Sequence, residues 1–440
     1  MIKAIQLTNL SCNLIKRDLL KNRLIMANLP NEKLTKLLFQ LYYSGLLISK
    51  EIADDKNIRK LEELGFIKTI EVDEQQIEIK NEALKNHYQH FPIAFIEAIN
   101  LELTYECNSN CPHCILKSHR TSFKDDELSF SKVKCIIADA YFAGLLQNGI
   151  NFTGGEALLA KVDIFDLIRY AASYGIPTRL FTNSFWGNKL LFKVGNQRFP
   201  NALALIKMLK KSGLNHLAIS FDSRIDKYKS GIKQLSSTVS ACESIGLHYE
   251  LVASNESKAM LNSFLEYMKT SVGFTELKYM TPITMDLVDM GGATDYTSAI
   301  DKKYSLKEMI QSSMCKGKGF YKPNMLTIDP KGGVRSCMFG VGLCNLGNIN
   351  ETNLFDIIND FKDDVSMAFA ENIAIDMIDI LFEPHKEIYK PFTHPCSACV
   401  LLARLIQEYY KLMKTQNVSE NDILKINQKV AKDLNLLKSE

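Results

Sequence analysis

The sequence predicts an α/β fold, a parallel sheet with helical crossovers, with a smaller unit on either side of it. Three observations lead there. From about residue 96 to 285, strand-like apolar runs alternate with amphipathic helical stretches, the pattern of a sheet wound by right-handed crossovers. Residues with chemical potential fall just after those runs, where parallel strands present their active sites. The chain also has 440 residues, more than one ordinary domain holds, so two or three units are expected.

Composition narrows the class. A hydrophobic share of 46% and a charged share of 23% describe an ordinary globular protein. The formal net charge of +3 is too small to argue for a nucleic-acid or membrane partner. No run of about 18 apolar residues occurs, and the N-terminal MIKAIQLTNL lacks the layout of a signal peptide. Eleven cysteines without a secretory signal point to a reducing cytoplasm and to metal ligation rather than disulfides.

Taken in order, residues 1–92 form the first expected unit. Leu34, Leu37, Leu38, Leu41 and Tyr42 recur at helical spacing, and a second helical stretch over about 54–64 is stopped by Gly65. Residues 66–72 and 76–80 alternate like two short strands across the polar turn Asp73-Glu74. Two helices and a small hairpin look like a winged helix. Its charges are mixed rather than basic, which argues against DNA.

The second unit covers 93–300. Its strands are expected at 98–104, 149–153, 178–182, 216–221, 248–253 and 276–281, with helical stretches such as 132–146, 163–174 and 203–211 between them. Directly after the first strand comes Cys107-Asn-Ser-Asn-Cys111-Pro-His-Cys114. A loop leaving a strand end can point three sulfurs inward. Three thiolates suit an iron–sulfur cluster better than zinc, because a closed zinc site wants a fourth protein ligand close by. A cube held by three cysteines leaves one iron open.

This spacing, the preceding LELTYECN and His113 resemble the radical S-adenosylmethionine (SAM) enzymes. The resemblance implies a partial (βα)6 TIM barrel and a [4Fe–4S] cluster on Cys107, Cys111 and Cys114 whose open iron chelates SAM. It implies SAM contacts at several strand ends. Gly154-Gly155-Glu156 follows the second strand, 40 residues after Cys114, and matches the motif that lies against the SAM amino group. Asn183 ends the third strand, Ser220 and Asp222 the fourth, Asn255 follows the fifth, and Met280 belongs to the sixth. Where many peptide-modifying relatives continue with a His and then Arg-Gly, this chain has Tyr228 and Ser230-Gly231, leaving Arg224 as the basic group nearby.

Residues 301–400 carry a second cysteine set. Leu326-Thr-Ile-Asp-Pro330 and Gly332-Gly-Val-Arg-Ser-Cys337 read as a hairpin with a glycine turn. Cys315, Cys337, Cys396 and Cys399 resemble the twitch extension, a shortened SPASM domain, in which four cysteines hold one auxiliary Fe–S cluster; four thiolates suit zinc too. Cys344 falls outside that pattern, either as a bystander, an exchangeable ligand or a catalytic thiol. Residues 401–440 read as two amphipathic helices.

The function implied is maturation of a ribosomally made precursor peptide in the cytoplasm. The N-terminal unit would bind the leader as an added strand, and a reductase or flavodoxin-type protein would donate electrons. Hydrogen abstraction would lead to a thioether or carbon–carbon cross-link. Epimerisation is the alternative, and it needs a donor thiol such as Cys344, Cys135 or Cys242. A DNA-binding iron–sulfur sensor built on the winged helix is the rival from another class, but it needs neither six strands nor Gly154-Gly155-Glu156.

Overall fold

The computed structural model describes the chain apart from residues 1, 9–10, 13–14, 16–31, 49–55, 91–95, 110, 112, 117–126, 143, 222–228, 255–257, 287, 289–304, 314, 316–317, 321–322, 341–344, 360–363, 391–393, 435 and 439–440. The N-terminal unit runs β1 (Ile2–Leu7), α1 (Glu32–Ser44), β2 (Leu46–Ile48), α2 (Lys56–Glu63), β3 (Ile67–Val72) and α3 (Ile77–His90). Its sheet is antiparallel in the order β2-β1-β3. Here the expected hairpin does not form. Asp73 accepts the Gln75 N–H and starts a helical turn that α3 continues, so residues 76–80 are not a strand and β3 pairs with β1 instead. Alternation over five residues cannot outweigh a following run with no helix breaker. Tyr88 ties α3 down: its buried hydroxyl accepts the Leu7 N–H at 3.0 Å and donates to Gly45 O at 3.3 Å.

The central sheet holds β4 (Ala98–Thr104), β5 (Gly149–Gly154), β6 (Thr178–Thr182), β9 (His216–Phe221), β10 (His248–Ser254) and β11 (Met280–Met285), with the small hairpin β7 (Phe192–Val194) and β8 (Gln197–Phe199) after β6. All six central strands are parallel, and each neighbours the next in chain order. Helices α4 (Phe130–Phe142), α5 (Ile164–Ser173), α6 (Ala202–Ser212), α7 (Lys229–Ile245) and α8 (Lys258–Thr270) alternate with them. Outward-facing strand residues such as Leu101, Phe152, Leu180, Leu217 and Leu251 join the helices in one core, which also takes in Ile5, Leu38 and Phe66 of the N-terminal unit.

One strand is displaced from its expected position. Residues 276–279 lie before β11, because the Lys278 and Tyr279 N–H groups donate to Glu243 at the end of α7 (3.0 and 3.2 Å). Met280 therefore starts the sixth strand, opposite Tyr249, instead of closing it. The strand's C-terminal end is Met285, and Pro282 is tolerated because β11 is an edge.

The C-terminal unit is continuous with this sheet. After α9 (Leu306–Ser312), strand β12 (Met325–Ile328) pairs parallel to β4, with Leu326 opposite Ile99; β13 (Gly333–Arg335) and β14 (Asn345–Asn348) follow antiparallel. The expected glycine turn is present, with Gly332 at φ +86° and Asp329 accepting the Lys331 and Gly333 N–H groups at 2.9 Å. A separate core joins α9 to α10 (Pro395–Met413) and α11 (Glu420–Asp433), the two helices expected at the C-terminus. Among the described residues no helix is long and apolar enough to cross a membrane.

Candidate active site at the strand ends

The three-cysteine loop begins where β4 ends, and two backbone bonds fasten its root to β5. Gly155 N–H donates to Thr104 O at 2.7 Å, and Glu156 N–H donates to Glu106 O at 2.9 Å. This close approach explains the glycine pair. A Cβ on Gly154, at φ +125°, would stand 2.3 Å from Thr104 O, and one on Gly155 would stand 2.3 Å from Glu106 O. In this fold the two glycines lay the end of β5 directly on the root of the cysteine loop.

Glu156 is buried just beneath, 1% exposed. Its Oε1 accepts the Thr182 hydroxyl at 2.9 Å and its Oε2 accepts the Asn183 N–H at 2.7 Å, so the carboxylate ties β5 to the end of β6. Burial pushes its pKa up to about 7, although those donors and the Leu158 N–H favour the charged form. The folded-state value lies above the ordinary 4.5, so ionisation opposes folding above about pH 4.5, and increasingly so up to about 7. Relative to Glu156→Gln, the wild-type chain should therefore gain about 3 kcal/mol on going from pH 8 to pH 5. Urea midpoints of the two proteins across that range measure it, and a constant difference would mean that Glu156 stays ionised.

Asn183 faces the cysteine loop. Its amide Nδ2 lies 2.9 Å from Asn108 Oδ1, 3.0 Å from Ser109 Oγ and 3.8 Å from Cys107 Sγ. Cys107 is half-buried and also receives the Ser109 N–H at 3.4 Å. Burial raises its thiol pKa, the Ser109 N–H lowers it, and the Glu156 and Cys114 charges raise it further. Cys114 donates its N–H to Cys111 O at 3.2 Å, closing a turn within the loop. Ser220 is exposed near the end of β9, and Met280 sits at the opposite end of its strand from these groups. Asp222, Arg224, Tyr228, Asn255 and Cys344 lie outside the described residues.

The second cysteine set is brought together by β13, α9 and α10. Cys337 follows Arg335-Ser336 at the end of the hairpin, and its carbonyl oxygen accepts the Gly340 N–H at 3.0 Å. Cys396 and Cys399 sit in the first turns of α10, whose N-cap, His394, accepts the Cys396 N–H through Nδ1 at 3.1 Å. Burial raises the Cys399 thiol pKa, the Ser313 hydroxyl offsets this, and the charges of Cys315, Cys396 and Cys337 all act on it. The charges of Cys315, Cys396 and Cys337 thus all reach Cys399, while no three His, Cys, Asp or Glu side chains among the described residues converge on a point for one metal ion. Cys135 is exposed and Cys242 fully buried on helices remote in sequence from either set.

One feature had no signal in the sequence. Glu102 of β4 and Arg335 of β13 form a buried ion pair, with side chains 7% and 4% exposed, and the Tyr105 hydroxyl donates to Glu102 Oε2 at 3.3 Å. The pair links the strand that launches the first cysteine loop to the strand that leads to Cys337. Burial raises the Glu102 pKa and the Arg335 guanidinium pulls it back.

Comparison with known proteins places this geometry. Residues 101–237 match the Radical SAM superfamily. A Methanocaldococcus jannaschii protein named as a glycyl-radical enzyme activating enzyme is 28% identical over 129 residues, 29% of this chain and 45% of its own. A PqqA peptide cyclase of Rhodopseudomonas palustris is 31% identical over 126 residues, 28% of each chain. The chain spans less than half the length of either relative. A structure of Streptococcus suis SuiB bound to S-adenosylmethionine covers 76% of this chain and 79% of its own at 15% identity, with a TM-score of 0.38, a likeness too slight to bear on the fold. The cysteine loop, Gly154-Gly155-Glu156 and Asn183 all lie within the segment that matches the Radical SAM superfamily.

Proposed function

We propose that the chain is a radical SAM peptide maturase that forms a thioether or carbon–carbon cross-link in a ribosomally made precursor. The observation that carries this is the constellation at the ends of β4, β5 and β6, in which Cys107 accepts N–H groups from Ser109 and Asn183 beside Cys114. N–H donors aimed at sulfur suit thiolates that ligate iron. Cys107, Cys111 and Cys114 would hold a [4Fe–4S] cluster, with Gly154, Gly155, Glu156, Asn183, Ser220, Asp222 and Asn255 around SAM. Bound there, cluster and SAM supply a 5′-deoxyadenosyl radical able to take hydrogen from an unactivated carbon. The chain's own part is to hold the cysteine loop on β5 and to keep the site at the strand ends.

The peptide substrate is supported by the PqqA peptide cyclases among the relatives. It is supported too by the N-terminal sheet, whose β3 is an edge strand that could accept a leader as an added strand. Cys315, Cys337, Cys396 and Cys399, whose charges meet at Cys399, would hold an auxiliary cluster able to accept the electron left over from cross-linking. A reductase or flavodoxin-type protein would supply the first electron. Anaerobic turnover with SAM, dithionite and a candidate precursor in deuterated water tests this, read by high-resolution mass spectrometry. Loss of about two hydrogens per product is the expected result. Gain of about one mass unit, by uptake of a deuterium at carbon, would make it an epimerase and turn attention to Cys344. Deoxyadenosine formed with every peptide unchanged would overturn the substrate class and favour activation of a protein partner.

A further inference from the structure

We infer that Asn183 is a positioning residue for the three-cysteine loop: its amide donors fix Cys107 and raise the reduction potential of a cluster bound there. This rests on the function proposed above. The geometry divides the side chain in two. Oδ1 accepts the Phe185 N–H at 3.0 Å, a turn closed on its own strand end. Nδ2 faces the other way, toward Asn108 Oδ1, Ser109 Oγ and Cys107 Sγ.

The backbone of Asn183 is held on both sides. Its N–H donates to the buried Glu156 carboxylate at 2.7 Å, and its carbonyl accepts the Gln234 Nε2 of α7 at 3.1 Å. A residue pinned at N–H, C=O and Oδ1 has little freedom left, so its amide is aimed rather than merely nearby. One Glu156 carboxylate bonded to the Thr182 hydroxyl and the Asn183 N–H therefore sets the position of a donor that reaches a sulfur on another loop. An N–H dipole pointed at a ligating thiolate stabilises the added negative charge of a reduced cluster and moves its potential upward.

Two variants separate this from a general loss of structure. Asn183→Asp keeps the oxygen that accepts from Phe185 and removes the donors facing the loop. Asn183→Ser removes the same donors without adding charge, and its hydroxyl can still close the short turn. Both are measured in the full-length reconstituted protein by anaerobic redox titration, following the reduced-cluster electron paramagnetic resonance signal that SAM perturbs. Amide exchange of residues 107–116 in the iron-free chain is a second readout.

At a fixed potential near the wild-type midpoint, we expect the ratio of reduced to oxidised cluster to fall about three- to tenfold in both variants. Tenfold corresponds to about 59 mV for one electron. Exchange in 107–116 should quicken while the melting temperature holds. A wild-type midpoint in both variants would overturn the inference, and so would a shift confined to Asn183→Asp, which would reflect the added charge alone. If Cys107→Ala took up as much iron as the wild type, the ligand assignment itself would fall, and with it the inference.

Discussion

Arg335→Met should destabilise the chain by about 3–5 kcal/mol, because it strands the Glu102 carboxylate in a buried site with no cation to meet it. The Tyr105 hydroxyl is too little compensation for a full charge. Glu102→Leu combined with Arg335→Met should recover most of the loss, since an apolar pair of similar volume removes both desolvation costs. Urea midpoints of the two single variants and the double variant read this directly. Near-additive losses would mean that the two side chains do not depend on one another. The single variant should also lower iron uptake at both cysteine sets, because the pair joins β4, which leads to Cys107, with β13, which leads to Cys337.

Gly155→Ala is the second large effect. The new methyl would stand 2.3 Å from Glu106 O and 2.8 Å from Glu106 C and Tyr105 O, all of them backbone atoms that cannot rotate away. Overpacking of this kind costs about 1–3 kcal/mol, and relief requires the root of the cysteine loop to move off β5. We expect iron content at Cys107, Cys111 and Cys114 to drop severalfold while the C-terminal set keeps its share. Gly154→Ala adds a side chain at φ +125° and should lose about 1–3 kcal/mol more through backbone strain. Iron per chain after reconstitution, compared with Gly175→Ala, whose Cβ position is open but whose φ is +69°, separates the clash from strain alone.

The sequence made most of the central sheet legible, for a physical reason. Strands 98–104, 178–182 and 216–221 are bounded as expected because their apolar residues alternate at strand spacing and the pattern is cut off sharply by loops. The cysteine spacing and the Asp329 to Gly332 turn were equally plain, since both depend on residues close in sequence. What failed depended on distant partners. β1 has no strong pattern of its own and is fixed by β2 and β3. The start of β11 is set by Glu243, 35 residues upstream of Lys278. The orientation of Asn183 depends on Glu156 and on a loop 74–76 residues away, which no local motif encodes. In Gly154-Gly155 the pattern is visible, but its cause is the approach of two backbones about 50 residues apart in the chain.

The pairing of β12 with β4 also bears on how the chain is made. Contacts between them span 227 residues, so on a ribosome adding about 5–20 residues per second, β4 waits roughly 10–45 s for its second neighbour. During that interval β5 can cover one side of it while the other stays an open hydrogen-bonding edge, the kind that invites pairing with a stranger. Slow decoding between β5 and β12 would lengthen the exposure. Expression yield should thus respond to chaperone supply and growth temperature more steeply than the stability of the finished protein would suggest.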